Sequence, residues 1–402
     1  MHFKLAEGIS WVGAIDWNVR DFHGYETRRG TTYNSYLVQG EKTALIDTVK
    51  ADFSETLLAN LGEIIDPGAV DYVVVNHGEP DHTSALPAVM KATGATLVTN
   101  TKCTATLRGY YDTSGWKIET VATGDTLELG GKSLTFVQTP MVHWPDSMVS
   151  YCPEDQILFS NDAFGQHITT SARFDDEVDL NVVMAEAKTY FANIVMLYGK
   201  PITRALEALS GIPIKIVAPA HGVIWRSHIE TILGAYGDWV CCRPSPKVLV
   251  IYETMWDSTA QMADEIVEGA TRSGVEVKLF DVTRTGRTDL VTEVLDAGAI
   301  AFGSPTLNMT MMPEIAGLMT YIGGLAPQHK AGFAFGSYGW APAGQQHLSS
   351  RLEEMDFEIL REPLSAQWRP DDGVLKECRE AGRMLADHAE GVAAEATAAR
   401  AD

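Results

Sequence analysis

Four residues of types that bind metal ions lie close together in the run NHGEPDH, which follows the apolar, β-branched stretch VDYVVVN. They are His77, Glu79, Asp81 and His82. The stretch before them is typical of a buried strand, so the run is expected on the loop at its carboxyl end, where α/β proteins place their chemistry. Gly78 and Pro80 alternate with the first three, which favours an extended loop whose side chains converge, with a turn bringing His82 around. The spacing indicates a metal site.

Three further residues of the same types each follow another strand-like run. His143 comes after SLTFVQTPMV, Asp162 after QILFSN and His221 after IKIVAPA. Taken singly, each histidine is equally well explained as a hydrogen-bonded loop residue, and Asp162 as a turn or cap residue. Because the pattern repeats at four strand ends, we expect all seven side chains to gather at one sheet edge.

A different pattern begins at Lys247, where KVLVIYETMWDSTAQMADEI reads as a strand, a hydroxyl-rich loop and a helix. A helix N-terminus preceded by such a loop binds a phosphate through backbone N–H groups and hydroxyls. An ordinary capped strand-to-helix turn would look similar. The candidate phosphate-loop residues are Thr254, Met255, Trp256, Asp257, Ser258 and Thr259, with the three hydroxyl residues as donors.

Two more loops follow predicted strands in the same half, in AIAFGSPTLNMTMMP and AGFAFGSYGWAPAG. Doubly wound parallel sheets bind mononucleotides at the shared carboxyl edge of such strands. The added candidates are Ser304, Pro305, Thr306, Asn308, Ser337, Tyr338, Gly339 and Trp340. Trp256, Tyr338 and Trp340 can flank a flat isoalloxazine ring, although each could instead pack against the sheet edge. No GxGxxG occurs in this half, which favours FMN over a dinucleotide.

The first half alternates short strands with helices near 53–61, 84–92, 180–197 and 201–210. GDTLELGGKSLTF carries Gly130 and Gly131 between two alternating runs, which predicts a β-hairpin. This alternation suits a sandwich of mixed sheets with outer helices, whereas the second half suits a parallel sheet.

Length and proline positions predict two domains. We assign residues 1–243 to a metal-binding domain and 247–390 to a flavin-binding domain, with Pro244 and Pro246 marking the linker. The alanine-rich segment 391–402 is expected to be a frayed helix end or disordered.

Composition narrows the environment and the partners. A formal net charge of −22 argues against nucleic acid or an anionic membrane as partner. The chain shows no apolar run long enough to cross a bilayer and no signal-peptide layout, so we expect a cytoplasmic protein. The five cysteines form no CxxC pair, which predicts reduced thiols and no rubredoxin or iron–sulfur segment here.

The metal-binding run resembles the HxHxDH pattern of the metallo-β-lactamase superfamily, with separated His, Asp and His residues after it. Glu79 stands where the zinc hydrolases carry histidine, and a carboxylate there suits iron or manganese better than zinc. HxExDH is the mark of the flavodiiron branch. Together with the flavodoxin-like half, the whole chain resembles a flavodiiron protein, the family of rubredoxin:oxygen oxidoreductases and nitric oxide reductases.

The resemblance implies an αββα metallo-β-lactamase-like sandwich followed by a flavodoxin-like doubly wound sheet. It implies that one iron is held by His77, Glu79, His143 and Asp162, and the other by Asp81, His82, His221 and the bridging Asp162. It further implies that a rubredoxin-like donor reduces FMN, that FMN reduces the irons, and that O2 is reduced to water or NO to N2O. A head-to-tail homodimer or a dimer of dimers is implied, with the FMN of one subunit near the irons of the other.

Three residues are candidates for donating protons or hydrogen bonds near the irons: Tyr198, His23 and His167. A buried structural role explains each equally well. Two rival functions also fit parts of the chain. One is a zinc-dependent hydrolase with an accessory flavodoxin module, and the other is an electron carrier with a degenerate metal site, against which the intact set of seven ligands argues.

Overall fold

The computed structural model describes residues 2–401, which form two compact units. The first unit extends to Tyr190 and resumes over Tyr198–Tyr236, and the second comprises Phe191–Leu197 and the chain from Gly237 onward. The sequence-based division at 243 and 247 places Phe191–Leu197 in the first domain instead. The grouping follows from hydrogen bonds in the second unit, since Asn193 Nδ2 donates to Thr288 O at 3.3 Å and Tyr321 Oη donates to Asn193 Oδ1 at 3.0 Å.

The first unit is built on two larger sheets and two small ones. Its strands are β1 (Phe3–Ala6), β2 (Ile9–Trp11), β3 (Ala14–Asp16), β4 (Asp21–Phe22), β5 (Tyr25–Glu26), β6 (Thr31–Tyr33), β7 (Tyr36–Gln39), β8 (Thr43–Ile46), β9 (Tyr72–Val74), β10 (Thr96–Thr99), β11 (Lys117–Thr120), β12 (Thr126–Glu128), β13 (Ser133–Gln138), β14 (Met148–Cys152), β15 (Ile157–Asn161) and β16 (Ile216–Pro219). One sheet has the order β1-β2-β7-β8-β9-β10-β11 and the other β12-β13-β14-β15-β16. The small sheets pair β3 with β6 and β4 with β5.

Both larger sheets are mixed. In the first, β8 to β11 run parallel and the preceding pairs antiparallel, while in the second only β15 and β16 are parallel. The predicted hairpin is present: β12 and β13 are antiparallel, and Gly130 and Gly131 between them have φ values of 73° and 83°. A glycine adopts this left-handed region without the steric penalty that a Cβ brings.

Helices cover both outer faces of the sandwich. They are α1 (Ser54–Gly62), α2 (Pro80–Thr83), α3 (Leu86–Thr93), α4 (Thr101–Tyr110), α5 (Leu180–Tyr190), α6 (Gly199–Leu209) and α7 (Ile229–Trp239). The α-helix predicted to reach 197 ends at Tyr190, and a π-helical turn and a 3-10 turn follow.

Successive residues of each strand point to opposite faces of its sheet, so apolar side chains form one core between the sheets and further cores beneath the outer helices. Val38 and Ile46 of the first sheet pack toward Phe136 and Phe159 of the second. On the outer faces, Leu57 of α1 and Val89 of α3 belong to the core behind the first sheet, and Leu209 of α6 packs on Tyr151 and Leu158 of the second. Full burial of one such side chain contributes about 1.5 to 3 kcal/mol. The arrangement is the expected αββα sandwich, with strand ends free to carry a site.

The second unit is a parallel sheet flanked by helices. Its strands are β17 (Ser245–Tyr252), β18 (Glu276–Asp281), β19 (Ala297–Gly303), β20 (Ala331–Tyr338), β21 (Glu358–Ile359) and β22 (Leu364–Gln367). Its helices are α8 (Ser258–Ala270), α9 (Arg287–Val294), α10 (Pro313–Leu325), α11 (Ala343–Glu354) and α12 (Asp372–Ala401). The strand order is β18-β17-β19-β20-β21, and β22 also pairs with β20.

Burial on both faces of this sheet fits the doubly wound prediction. Val248 and Val250 pack with Met262 of α8 and Leu385 of α12, and the alternate residues Leu249 and Ile251 are also fully buried. The segment 391–401 belongs to α12, and residue 402 lies outside the described residues. No helix in the described part of the chain combines the length and apolar character that a bilayer crossing requires.

Candidate active site

The seven predicted ligands come together at one end of the sandwich. The run from His77 follows β9, while His143, Asp162 and His221 follow β13, β15 and β16. Because β9 belongs to the first sheet and the others to the second, the residues converge from two sheets, not along one sheet edge as predicted. The turn expected around His82 is the short helix α2, which begins at Pro80 after the extended Glu79.

Four of the side chains form one buried cluster: His77, Glu79, His143 and Asp162. Glu79 Oε2 lies 3.2 Å from His77 Nε2 and 3.1 Å from His143 Nε2. Asp162 Oδ2 lies 3.6 Å and 3.4 Å from the same two nitrogens. Four potential ligand atoms therefore face one point.

Asp81, His82 and His221 form a second buried cluster beside the first. Asp81 Oδ2 lies 3.3 Å from His82 Nε2 and 3.1 Å from His221 Nε2. The other oxygen of Asp162, Oδ1, is 3.1 Å and 3.5 Å from these nitrogens. Asp162 thus presents one carboxylate oxygen to each cluster, the geometry that a bridging ligand needs.

The charge distribution of the clusters fits metal ions. Burial disfavours a charged imidazole, but hydrogen bonds to Asp146 and Glu79 outweigh it and raise the pKa of His77 to about 10. His143 behaves in the same way, with Asp162 and Glu79 raising its pKa to about 10. The carboxylates therefore create a field strong enough to hold positive charge at neutral pH.

Unsatisfied atoms point to the same conclusion. Asp81 Oδ1 and Asp162 Oδ2 are buried without a hydrogen-bond donor, although buried carboxylate oxygens are costly unless paired. Three carboxylates and four imidazoles form a donor set suited to iron or manganese. The residues therefore fit the iron pair that the sequence predicts.

Neighbouring groups fix the orientation of the candidate ligands. His221 Nδ1 donates to the carbonyl oxygen of Thr32 at 2.7 Å, which leaves its Nε2 lone pair directed at the cluster. His77 Nδ1 pairs with Asp146 Oδ1 at 3.0 Å. Tyr190 donates its hydroxyl to Asp162 Oδ1 at 3.0 Å. Sequence reasoning missed Asp146, Thr32 and Tyr190.

The structure places the three predicted proton or hydrogen-bond donors in different surroundings. His23 Nε2 lies 2.8 Å from Glu79 Oε1, and this hydrogen bond raises the pKa of His23. His167 is buried: its Nδ1 pairs with Thr31 Oγ1 at 2.6 Å, its Nε2 has no partner, and burial with the charge of His221 holds its pKa well below the usual value. Tyr198 ends the 3-10 turn before α6, and no hydrogen bond within residues 2–401 joins it to the seven ligands. Tyr190, which the sequence analysis did not single out, is the tyrosine that donates to Asp162.

A second candidate site lies in the flavodoxin-like unit, where a cavity of about 320 Å³ opens beyond β17, β19 and β20. Of the predicted flavin residues, Met255, Trp256, Ser258, Pro305, Thr306, Asn308, Ser337, Tyr338, Gly339 and Trp340 line it. Leu307, Met309, Ala341 and Trp368 also line it and were not predicted. Trp256 and Trp340 are 88% and 82% exposed, which leaves their flat faces available for an aromatic ring.

Four predicted flavin residues do not line the cavity. Ser304 Oγ accepts from Met312 N and donates to Pro305 O, both at 2.9 Å, so it stabilises the loop instead. Thr259 Oγ1 pairs with Ser337 Oγ at 3.1 Å, and Asp257 adopts the left-handed conformation, with φ of 63°, just before α8. Thr254 Oγ1 is buried without a partner in the predicted phosphate loop, so it fits a group that would bind the FMN phosphate.

Gly339 is required by its neighbour in the same cavity. A Cβ at this position would lie 2.8 Å from ring atoms of Trp368, closer than side chains approach one another. Trp340 and Trp368 have ring centroids 6.5 Å apart. The glycine therefore allows Trp368 to reach the cavity beside Trp340, a contact between distant segments that sequence patterns do not reveal.

Fold and site together define a two-domain metalloflavoprotein, with a paired-metal cluster on a β-lactamase-like sandwich and an FMN-type cavity on a doubly wound sheet. Comparisons with known proteins agree. The model of the ODP family beta lactamase matches residues 31–222, and the flavodoxin model matches residues 250–382.

Relatives match almost the whole chain. A nitric oxide reductase of Moorella thermoacetica is 44% identical over 388 residues, which cover 95% of this chain and 97% of that protein. The rubredoxin oxygen:oxidoreductase structure from Desulfovibrio gigas has a TM-score of 0.94 at 37% identity, covering 98% of this chain and 99% of the other. The flavodiiron protein from Giardia intestinalis has a TM-score of 0.94 at 36% identity, with 98% of each chain covered. This chain belongs to the flavodiiron protein family, which confirms the resemblance and the two-domain fold.

Proposed function

We propose that this protein is a flavodiiron oxidoreductase that reduces O2 to water, NO to N2O, or both, with electrons passed from a rubredoxin-like donor through FMN. The observation that carries the proposal is Asp162, whose two oxygens face two separate clusters of metal-ligating residues. A flavin-type cavity in the same polypeptide supplies a route for electrons that a hydrolase does not need. The reductase names of the relatives support this choice over the zinc hydrolase.

The candidate ligands form two sets, one for each iron. His77, Glu79 and His143 would hold one iron, Asp81, His82 and His221 the other, and Asp162 both. When bound, the irons and FMN supply the electrons, and the irons also supply open positions for a small gas. Glu79 and Asp81 line a cavity of about 280 Å³, through which solvent reaches the cluster.

Reduction of O2 or NO consumes protons, and two side chains are placed to move them. Tyr190 holds its hydroxyl proton against Asp162 Oδ1. His23, which is half-exposed, can carry a proton from solvent to Glu79 Oε1. His167 stays neutral, so it serves as a hydrogen-bonding group and not as a cation.

Side chains of the flavodoxin-like unit would also have defined roles in binding FMN. The Thr254 hydroxyl and the N-terminus of α8 at Ser258 would bind the FMN phosphate. Trp256 and Trp340 would flank the ring. Electron entry would then occur at this exposed edge.

Metal and flavin analysis tests the proposal most directly. We expect the purified protein to be yellow and to contain about two irons per chain, in line with a paired-metal site. Asp162→Asn should lose most of the iron and all gas consumption while it retains reducible flavin. Asp112→Asn, in an exposed loop, is the matched control and should behave as the wild type. A colourless protein that carries zinc and cleaves an ester without a reductant would contradict the proposal.

We also propose a cytoplasmic head-to-tail homodimer, or a dimer of dimers, that receives electrons from a separate rubredoxin-like protein. The family resemblance supports this assembly, because it brings the FMN of one subunit near the irons of the other. Dilution to monomers should therefore abolish gas reduction. Fully active monomers would contradict it.

A further inference from the structure

The sequence neighbours of two proposed metal ligands, His143 and Asp162, line an apolar cavity. Val142, which precedes His143, and Ala163, which follows Asp162, both line it, together with Phe164, Ile202 and Leu206. Its volume is about 20 Å³, which is enough for one water-sized sphere. It belongs to the first unit and is distinct from the cavity lined by Glu79 and Asp81.

The cavity offers little to a water molecule. Ser160 Oγ already donates to Ala163 O at 2.7 Å, and the Tyr236 hydroxyl already accepts from Phe164 N at 2.7 Å. A buried water needs two to four polar partners, whereas dry apolar cavities take up apolar gases. The lining therefore favours a small apolar molecule over water.

A surface groove of about 350 Å³ lies against the same wall. Phe164, Leu206 and Leu209 line both the groove and the cavity, so these three side chains form the partition between them. Leu158, Ile212 and Ile229 make the rest of the groove largely apolar. Leu206 and Leu209 are only partly buried, which leaves the partition open to solvent on its outer side.

We propose that the groove and the cavity form an apolar entry path for a diatomic gas, with Phe164 and Leu206 as the gate, delivering the gas beside His143 and Asp162. This inference rests on the proposed function, since it supplies that function's substrate. O2 and NO partition from water into apolar surroundings, so the path concentrates gas near the proposed ligands, separately from the cavity at His23, Glu79 and Asp81.

Krypton binding tests the cavity without any activity. Crystals of the iron- and flavin-containing protein under krypton pressure should show an anomalous peak between Val142, Ala163 and Leu206. Ala205→Leu fills the cavity and should remove the peak. Ala208→Leu, on the same helix but exposed and outside the cavity, is the matched control and should keep it.

Gas kinetics test the path. With iron and flavin contents unchanged, Ala205→Leu should lower kcat/KM for O2 or NO about tenfold, and Ala208→Leu should not. Leu206→Ala, which thins the partition, should raise krypton occupancy and gas uptake, and it decides the question if Ala205→Leu does not fold. Absence of krypton in the wild type and in Leu206→Ala, or unchanged kcat/KM in Ala205→Leu, would overturn the proposal. A wild type that consumes neither gas contradicts the proposed function instead, and krypton binding still decides whether the cavity accepts an apolar gas.

Discussion

At the scale of single residues, a hydrogen bond to Asp162 distinguishes Tyr190 from Tyr198. Tyr190 donates to Asp162 Oδ1 at 3.0 Å, whereas Tyr198 has no such contact among the described residues. We expect Tyr190→Phe to lower gas turnover by about tenfold, the lower end for loss of a hydrogen bond to a metal ligand. Tyr198→Phe should leave turnover unchanged.

Iron content and turnover, measured together, check this pair. Iron should stay near the wild-type level in both variants, because neither tyrosine belongs to the ligand clusters. Equal turnover in the two variants would show that the Tyr190 hydroxyl only packs.

The clustering of the seven candidate ligands was predictable from the sequence, and their hydrogen-bonding neighbours were not. Ligand chemistry requires a few residue types at strand ends, so the run from His77 to His82 and three separate residues could be read directly. The Tyr190 contact depends on how α5 lies across the strand ends, which no local spacing encodes. Among the described residues, the end of α5 and not the following 3-10 turn brings a tyrosine hydroxyl to Asp162, so the role of Tyr198 stays a prediction.

At the scale of elements, the turn from β17 to α8 is the proposed phosphate-binding loop. Thr254 Oγ1 is buried there without a partner, so we expect Thr254→Val to weaken FMN binding about tenfold, close to the value of one hydrogen bond to a charged group. Thr283→Val, which removes an exposed hydroxyl bonded to Asp281, is the control. Equilibrium dialysis of FMN measures both, and equal dissociation constants would exclude Thr254 from the phosphate site.

A partly buried ion cluster joins β17 to α9 and gives a pH-dependent prediction. Glu293 accepts hydrogen bonds from Lys247 at 2.9 Å and Lys278 at 2.8 Å, and these outweigh burial and lower its pKa. The resulting stability is present above the ordinary pKa of 4.5 and is lost as pH falls through the lowered native pKa. Glu293→Gln should therefore cost about 1 to 2 kcal/mol at neutral pH and progressively less below pH 4.5.

Urea unfolding across this pH range checks the prediction. Glu377→Gln, whose partner Arg361 is 3.7 Å away at an exposed position, serves as control and should have little effect at any pH. A Glu293→Gln penalty that stays constant down to low pH would show that packing, and not charge, is responsible.

Elements themselves were predicted unevenly. The β12–β13 hairpin and the strands before each ligand follow from alternation and glycine signals, and the structure has them. Helix α4 was missed, because its run TKCTATLRGY has little apolar periodicity and depends on the Asn100 side chain, which accepts from Cys103 N at 3.0 Å. Ser304 was assigned to the flavin because its loop position fits, yet its hydroxyl bonds within the loop.

At the scale of the whole molecule, two units with separate cores predict separate responses to metal removal. If free metal exceeds its dissociation constant about 1,000-fold, its loss removes about 4 kcal/mol of stability. For a unit of this size, Tm should then fall by roughly 10 °C. Calorimetry with and without a chelator should show one transition moving and the flavin-linked transition unchanged, whereas a shift of both would contradict the prediction.

The assignment of Phe191–Leu197 to the second unit has a practical consequence for dissecting the molecule. A single cut near residue 243 would leave this segment on the fragment that lacks the rest of its unit. The cut would expose Phe191, Val195 and Met196, each nearly fully buried in the intact chain. Such a truncated sandwich should precipitate. Replacing the flavodoxin-like unit with another electron-transfer domain therefore requires exchange of this short segment as well, so the two domains cannot be swapped at a single junction.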